Sequence, residues 1–186
     1  LAQQFSSGVK GALLFKKIQE LAVVDSLTEV FNRRYFLERL HEERLRSEKF
    51  NLVFSFVMTD IDHFKDINDK FGHLVGDSIL KEVAKAVKDN IRQVDFMGRY
   101  GGEELSLVYT ETGKEEARLV CERIRQAVGA KSFRVYDEEL KITLSMGLSM
   151  FPDDAKTEAE LIEKADSALY QAKALGRNRV CVYRDL

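Results

Sequence analysis

The chain has 186 residues, of which 45% are hydrophobic and 32% are charged, as is typical of a soluble globular protein that can bury a sizeable core. Its formal net charge is −2, so it has no overall basic field of the kind that binds nucleic acid or an anionic membrane. The sequence shows no apolar run as long as a membrane-spanning helix and no signal peptide.

The two cysteines and the first residue bear on the compartment and on the origin of the chain. Cys121 and Cys181 lie in apolar patterns, which favours buried thiols in a reducing compartment over a disulfide or a metal site. We therefore expect a cytoplasmic domain. Because the chain begins with Leu1 rather than Met, we also expect a fragment of a longer protein, with any upstream sensor domain or membrane attachment outside this sequence.

The sequence divides into an N-terminal signalling or linker helix over residues 1–24 and a domain over residues 25–186. The helix is predicted from apolar residues at i, i+4 and i+7 spacing. These residues are Leu14, Ile18 and Leu21. This short stripe suits either the end of a coiled coil or a helix packed on the domain.

The first half of the domain contains a helix, a strand and a second helix. Asn32 is placed to cap the first helix. The inner face of that helix carries Phe36, Leu37 and Leu40. Residues 51–62, NLVFSFVMTDID, are almost continuously apolar, which is typical of a central strand covered on both faces. Residues 63–72 predict a short helical turn, and residues 76–91 predict an amphipathic helix.

The second half alternates between strands and helices. Predicted strands over residues 94–100 and 103–110 flank Gly101 and Gly102, a pair that signals a tight hairpin. The remaining elements are a helix over 113–129, a strand pair within 131–151, a helix over 157–176 and a strand over 179–183. Since helices lie between strands and two connections are hairpins, we predict an α+β fold. It would be ferredoxin-like, with a mainly antiparallel central sheet flanked by helices.

Two pairs of acids indicate a metal site. Asp60 and Asp62 end the apolar strand and share one of its faces, while Glu103 and Glu104 follow the glycine pair. If the two strands are neighbours, these carboxylates converge, and they cannot all stay ionised without a cation. Hard oxygen ligands suit Mg²⁺ or Mn²⁺. A single acid would be better explained as a solvated loop end, but two such pairs favour the metal site.

Gly101 and Gly102 add a binding surface for an anion. Without Cβ atoms, the turn lets a ligand approach the backbone closely, and turn amides can hold a phosphate. Acids for a metal beside amides for phosphate predict a nucleoside triphosphate site. The glycine pair alone would indicate only a hairpin.

Five segments occur in an order that resembles the GGDEF domains, the diguanylate cyclases. They are DSLTEVFNRRYF, DIDHFKDINDKFGHLVGD, RYGGEEL, LSMG and ADSALYQAKALGRNRV. The resemblance covers roughly residues 25–184. It implies an α+β sheet related to the palm domains of polymerases and to adenylyl cyclase. It also implies a reaction that joins two GTP molecules into cyclic di-GMP and releases pyrophosphate.

The resemblance implies a catalytic role for three acids. Asp60 and Glu103 would bind the divalent metal, with help from the Ile61 carbonyl. Glu104 would be a second metal ligand or would help to deprotonate the attacking 3′-hydroxyl, and both roles stay open. Leu105 stands where the family usually has Phe, which we interpret as a packing change.

The resemblance also implies that Asn68 and Asp77 read guanine. A carboxylate can accept from both N1–H and N2–H₂ of guanine, and adenine lacks the second donor. The local alternatives are a turn residue for Asn68 and the N-cap of the following helix for Asp77.

Three cations and three further residues complete the implied GTP site. Lys65, Lys173 and Arg177 would neutralise phosphate charge, although cations near a helix C-terminus are the simpler local explanation. Phe64 would lie near the phosphates through its backbone, beside Gly101 and Gly102. His63 and His73 have no cysteine partners, and we interpret both as structural.

The implied reaction requires two chains, because the product is symmetric and each chain would hold one GTP. A homodimer about a twofold axis is therefore expected. Arg92 and Asp95 form an R-x-x-D pair, and five residues separate Asp95 from Gly101, an offset that marks an inhibitory cyclic di-GMP site in the resembling family. The local alternative is a helix-end arginine and a strand-starting aspartate. A non-catalytic receptor for GTP or cyclic di-GMP is the alternative function.

Overall fold

The computed structural model describes residues 23–184. The helix predicted over residues 1–24 lies outside the described residues apart from Val23 and Val24, which are not helical. The described helices are α1 (Arg33–Phe50), α2 (Phe64–Phe71), α3 (His73–Lys88), α4 (Lys114–Ala130) and α5 (Glu158–Ala174). The described strands are β1 (Phe31–Asn32), β2 (Phe54–Ile61), β3 (Phe96–Arg99), β4 (Glu104–Thr110), β5 (Ser132–Val135), β6 (Glu138–Lys141), β7 (Leu144–Phe151) and β8 (Val180–Val182).

Six strands form one sheet in the order β1-β3-β4-β2-β7-β8, and β5 and β6 form a separate hairpin. The central strand β2 is antiparallel to both of its neighbours, β4 and β7, and β3 is antiparallel to β4. The pairs β1–β3 and β7–β8, at the two edges, are parallel. The predicted α+β fold with a mainly antiparallel sheet is confirmed.

Helices cover both faces of this sheet. All eight residues of β2 are buried, because alternate residues of a strand point to opposite faces and both faces are occupied. Helices α3 and α4 contribute Leu80, Val83 and Ile124 to one apolar cluster. Helices α1 and α5 contribute Phe36, Leu40 and Leu161 to the other. The continuous apolar run of the sequence therefore corresponds to a strand that is buried along its whole length.

Local chemistry fixes two helix starts. Asn32 caps α1 as predicted, since its side chain accepts from the Tyr35 N–H at 2.9 Å. Helix α3 begins at His73 rather than at residue 76, directly after Gly72, whose φ is 86°. A positive φ is readily adopted by glycine, so Gly72 can separate α2 from α3 with a single residue.

Strand β7 approaches the backbone of α5 closely at Gly147. A Cβ atom at Gly147 would lie 2.1 Å from the Ala165 carbonyl oxygen and 2.2 Å from the Leu169 nitrogen. Only glycine allows α5 to lie this close to the sheet. The LSMG segment thus sets the position of α5, which carries Lys173 in its last turn.

The structure also bears on the expected free thiols and on the expected absence of a membrane-spanning helix. Both cysteines are free, with Cys121 buried as predicted and Cys181 only partly so. Within residues 23–184 there is no helix that is both long and apolar enough to span a membrane.

Candidate active site

Two acids face each other across neighbouring strands. In the antiparallel register of β2 and β4, Asp60 is paired directly with Glu104. On its other side, Asp60 is paired with Ser145 of β7. Directly opposed side chains in a sheet have Cβ atoms about 5 Å apart. The predicted meeting of these two carboxylates is confirmed.

Lys173 joins this pair from helix α5. Its Nζ lies 2.8 Å from Asp60 Oδ2, and the Asp60 side chain is 11% exposed. The local interpretation of Lys173 as only a helix-end cation is therefore incomplete, because its ammonium group contacts an acid on the central strand. Lys173 and Asp60 are separated by most of the domain sequence, and Gly147 lets α5 lie close enough for them to meet.

Burial and mutual repulsion raise the pKa of both acids. Burial is the main cause of the raised pKa of Asp60, with smaller contributions from the charges of Glu103 and Asp62, and Lys173 opposes the shift. Burial likewise raises the pKa of Glu104, followed by the charge of Asp60. This end of β2 therefore holds more negative charge than its surroundings stabilise.

The acids are not arranged as a finished metal site. In the described part of the chain, no group of three or more His, Cys, Asp and Glu side chains is positioned to hold a metal ion. Asp62 in particular does not join the cluster as a free carboxylate. Both of its oxygens accept hydrogen bonds, from the Thr143 and Ser145 hydroxyls at 2.6 Å each and from the Asn178 N–H at 3.0 Å. The charge of Asp62 thus contributes to the raised pKa of Asp60, but its oxygens already accept hydrogen bonds from the protein, so it differs from the free carboxylate that the sequence suggested.

The glycine hairpin differs from the predicted tight turn. Strand β3 ends at Arg99 and β4 begins at Glu104, so four residues form the connection and Glu103 lies in the loop rather than in the strand. Neither Gly101 nor Gly102 has a positive φ. The conformational freedom of glycine is therefore not what this loop requires.

Gly101 is required for space. A Cβ atom there would lie 2.3 Å from Glu104 Oε2, so glycine leaves room for the carboxylate of the paired acid. The Gly101 amide donates to the Glu104 carbonyl oxygen at 3.3 Å, and this hairpin bond competes with the predicted use of that amide for phosphate. Arg99 holds the other side of the loop by donating twice to the Gly102 carbonyl oxygen, at 2.8 and 3.0 Å.

A second glycine makes room for the predicted guanine reader Asn68. The Asn68 Oδ1 atom is buried and accepts no hydrogen bond, and a Cβ atom at Gly76 would lie only 1.9 Å from it. A buried acceptor without a donor is costly, so this atom is a candidate to receive a ligand N–H. Sequence reasoning missed Gly76, although its place directly before Asp77 in LVGD was a signal.

Asp77 and the first residues of α2 lie close to Asn68 along the chain. Asp77 is exposed and lies inside α3, so its alternative role as an N-cap is wrong. Phe64 is buried at the start of α2, and Lys65 beside it is exposed. His63 has a φ of 59° and its Nδ1 lies 3.0 Å from an Asp66 oxygen, consistent with a structural role.

Arg177 and Leu105 also lie near the acidic end of the sheet. Arg177 is exposed, directly after Gly176, and its N–H donates to the Ala172 carbonyl oxygen at 3.0 Å. Leu105 is fully buried next to Glu104. The substitution of Leu for the usual Phe is thus a change in the core, as predicted.

Arg92 and Asp95 bind each other. Arg92 donates from Nε and Nη2 to the two Asp95 oxygens, at 3.1 and 2.8 Å, and Asp95 also accepts the Arg92 and Thr110 backbone N–H groups. The Asp95 side chain is 2% exposed, whereas that of Arg92 is 57% exposed. The Arg92 guanidinium is exposed but also donates from Nη2 to the Thr110 carbonyl oxygen at 3.0 Å and to the Thr112 hydroxyl at 2.6 Å. Asp95 would have to give up existing bonds to contact a ligand.

Comparison with known proteins identifies the family of this arrangement. A family model described as "Diguanylate cyclase, GGDEF domain" matches residues 22–179. A curated relative, diguanylate cyclase DgcP of Pseudomonas aeruginosa, is 41% identical over 162 residues. That match covers 87% of this chain and 24% of the relative, so the chain spans about a quarter of the length of that protein.

Two solved structures have the same fold. The GGDEF domain of DgcB from Caulobacter crescentus, in complex with c-di-GMP, has a TM-score of 0.82 and 31% identity, with 87% of this chain and 96% of that chain covered. The active GGEEF domain of a diguanylate cyclase from Vibrio cholerae has a TM-score of 0.78 and 37% identity, with coverages of 82% and 97%. Since the family model matches most of its length and its strands bring the signature acids together, this chain belongs to the GGDEF domain family.

Proposed function

We propose that this chain is a diguanylate cyclase domain, which joins two GTP molecules into cyclic di-GMP and releases two pyrophosphates. The observation that carries the proposal is the direct pairing of Asp60 with Glu104 in a partly buried acidic cluster beside Lys173. The signature acids Glu103 and Glu104 are both present. Relatives named as diguanylate cyclases share about two-fifths of the aligned residues.

The donors at the end of β2 fit a divalent cation, Mg²⁺ or Mn²⁺. Asp60, Glu103 and Glu104 supply carboxylates, Ile61 supplies a carbonyl, and hard cations prefer such oxygen donors. The raised pKa values of Asp60 and Glu104 fit as well, because the excess negative charge would be relieved by a cation. When bound, the ion would neutralise phosphate charge during in-line attack. Lys173 forms an ion pair with Asp60 in this structure. When GTP binds, its ammonium group would move towards the phosphates.

The chain's own residues would bind and orient GTP. Lys65, Lys173 and Arg177 would contact the phosphates, with the Phe64 backbone and the hairpin of Gly101 and Gly102 beside them. Asn68 and Asp77 would read the guanine edge, and the unpartnered Asn68 Oδ1 supports this role. An exposed acid such as Asp77 can accept the N1–H and N2–H₂ donors that distinguish guanine from adenine.

Glu104 is the best candidate to take the proton of the attacking 3′-hydroxyl. Its pKa is raised by burial and by the charge of Asp60, which brings it closer to the operating pH and makes it a better base than an exposed glutamate. Its position opposite Asp60 also allows it to be a metal ligand. We propose Glu104 as the base and Asp60 and Glu103 as the principal ligands.

The reaction needs a homodimer, since the two ends of the product are identical and each chain would bind one GTP. We propose that cyclic di-GMP also inhibits the enzyme through Arg92, whose guanidinium is open to solvent. A fork of N–H donors suits phosphate or the Hoogsteen edge of guanine. An upstream sensor domain in the full protein would control how two such domains meet.

One incubation tests the proposal against a receptor that binds GTP without reacting. The chain is mixed with GTP and Mg²⁺, and pyrophosphate and cyclic di-GMP are measured by chromatography. We expect both products in a ratio of two to one, and neither from the Glu104→Gln variant. GTP binding without either product would overturn the proposed activity in favour of a receptor.

A further inference from the structure

We infer that Asp62 is a positioning residue: it holds a strained turn that places Arg177 at the GTP phosphates. This inference rests on the proposed function, because it assigns Asp62 a role in the same site. The role differs from the metal-binding one that the sequence suggested for Asp62, since none of the bonds described below is made to the catalytic acids.

The turn after α5 has an uncommon backbone. Three successive residues, Gly176, Arg177 and Asn178, have φ values of 106°, 60° and 48°. Glycine adopts this left-handed region freely and asparagine tolerates it, whereas it is unfavourable for arginine. Two adjacent non-glycine residues in this region keep their conformation only if the surroundings hold them.

Asp62 supplies that hold from the end of the central strand. It is 5% exposed, and its Oδ2 accepts the Asn178 N–H at 3.0 Å and the Thr143 hydroxyl at 2.6 Å. Its Oδ1 accepts the Ser145 hydroxyl at 2.6 Å. A buried carboxylate with hydrogen bonds to both oxygens is fixed in one orientation, and so is the backbone that it binds.

Two further contacts complete the turn. The Arg177 N–H donates to the Ala172 carbonyl oxygen at 3.0 Å. Arg125 of α4 donates to the Asn178 side-chain oxygen at 2.7 Å. The backbone of Arg177 is therefore held by the bond of its own N–H and by the bonds of Asn178, the next residue, while its side chain is exposed.

The position of Asp62 in the chain links the turn after α5 to the acidic site. Asp62 follows Asp60 by two residues, so one strand end carries both the acidic site and the support of the turn. The distance between the acids and the Arg177 backbone is thereby fixed by a rigid element. A preorganised arginine loses less freedom when it binds phosphate.

A double-mutant cycle between Asp62 and Arg177 tests the inference. The ligand is 3′-deoxy-GTP with Mg²⁺, which cannot react because the attacking hydroxyl is missing, and its affinity is measured by calorimetry. We expect Asp62→Ala to weaken binding by about tenfold in the parent and by less than about twofold in the Arg177→Ala background. Equal effects in both backgrounds would overturn the inference.

Three further measurements separate positioning from general loss of structure. Asp62→Asn, whose Oδ1 can still accept the Asn178 N–H, should restore most of the affinity. Amide hydrogen exchange of Asn178 should accelerate in Asp62→Ala, and unchanged protection would count against the inference. Ser149→Ala is the matched control, because it removes a different buried bond between β7 and α5, to the Leu161 carbonyl oxygen, and should leave the affinity near the parent value.

An unfolded Asp62→Ala variant and an inactive parent chain have different meanings. If Asp62→Ala does not fold, Thr143→Val carries the same cycle, because that hydroxyl donates to the oxygen that holds Asn178. We then expect about a threefold loss, again only when Arg177 is present. A parent chain that makes no cyclic di-GMP counts against the proposed function, whereas an active parent with additive effects counts against the role of Asp62 alone.

Discussion

The Asn68 side chain fills the space that a side chain at position 76 would need: a Cβ atom at Gly76 would lie 1.9 Å from the Asn68 amide oxygen. Helices α2 and α3 pack so closely here that a side chain at position 76 would displace the Asn68 amide. The amide oxygen that we assign to guanine is thus held in place by the helix that also carries Asp77.

Gly76→Ala should therefore weaken GTP binding. The added methyl group must displace the Asn68 side chain, so we expect KM for GTP to rise by about tenfold or more with a smaller change in kcat. Steady-state kinetics of cyclic di-GMP formation measure both. Gly129→Ala in α4 is the control, because nothing lies within 4 Å of a Cβ there and alanine is the better helix former. A variant with the parent KM would contradict the assignment of Asn68.

The sequence was informative where the chemistry is local. The continuous apolar run gave the buried strand β2, and Asn32 gave the start of α1. The convergence of Asp60 with Glu104 was expected only if the strand that ends in Asp60 and the strand that opens after the glycine pair are neighbours, and the register of β2 and β4 meets that condition. For β2 and α1, neighbouring residues in the chain determine the result through periodicity or capping.

Other features depend on residues far apart in the sequence and could not be predicted. The contact of Lys173 with Asp60 requires α5 to lie against the sheet at Gly147. The hydrogen bonds to the Asp62 oxygens come from Asn178 and from Ser145 of β7. A sequence shows which residues are glycine or aspartate, but not which atoms will surround them.

Glu104→Gln should abolish activity and also stabilise the fold. The raised pKa of Glu104 means that the folded state favours the protonated acid. This contribution to stability is fully present below the unfolded pKa of about 4.5 and is lost as the pH rises through the folded pKa. At pH 7 the charged acid is therefore unfavourable, and a neutral glutamine removes the repulsion from Asp60.

Thermal unfolding without divalent cations measures this effect at pH 7 and at pH 4. We expect Tm of Glu104→Gln to exceed that of the parent at pH 7, with the difference shrinking at pH 4, where the parent acid is largely protonated. Glu38→Gln on α1 is the control, because it removes an exposed charge whose partner is Arg34. A lower Tm for Glu104→Gln at pH 7 would show that the charged form of Glu104 does not destabilise the folded state.

Glu29→Gly should also stabilise the fold, for a reason confined to the backbone. Glu29 has a φ of 58°, in the left-handed region that glycine adopts more readily than other residues. Relief of this left-handed conformation should raise the free energy of unfolding by about 0.5–1 kcal/mol, net of the greater freedom of glycine in the unfolded chain. The lost ion pair with Lys81, at 3.4 Å and well exposed, contributes little.

Urea unfolding of the Glu29→Gly variant provides the measurement, and cyclic di-GMP formation should be unchanged. Glu38→Gly, in the middle of α1, is the contrasting control. There glycine replaces a residue in a regular helix, and we expect a loss of about 1 kcal/mol. If both variants lose stability alike, Glu29 is not strained in solution.

Substitution of Arg92 should affect both product inhibition and stability, and the two effects can be measured separately. Arg92→Ala removes the guanidinium that we assign to cyclic di-GMP, but it also leaves the buried carboxylate of Asp95 without its charged partner. We expect the variant to bind cyclic di-GMP more weakly, to escape product inhibition, and to lose about 1–3 kcal/mol of stability. Its initial rate with GTP should stay near the parent value at a temperature where it is fully folded.

The double variant Arg92→Ala with Asp95→Asn separates the two effects. A neutral amide needs no counter-charge and can still accept the Thr110 N–H that Asp95 accepts at 3.2 Å, so much of the lost stability should return. Binding of cyclic di-GMP, followed by calorimetry, should stay weak, because the forked donor is still missing. Arg118→Ala, which removes an exposed arginine paired with Glu115, is the control for charge. If cyclic di-GMP bound to and inhibited the double variant as it does the parent, Arg92 would have only the structural role of stabilising Asp95.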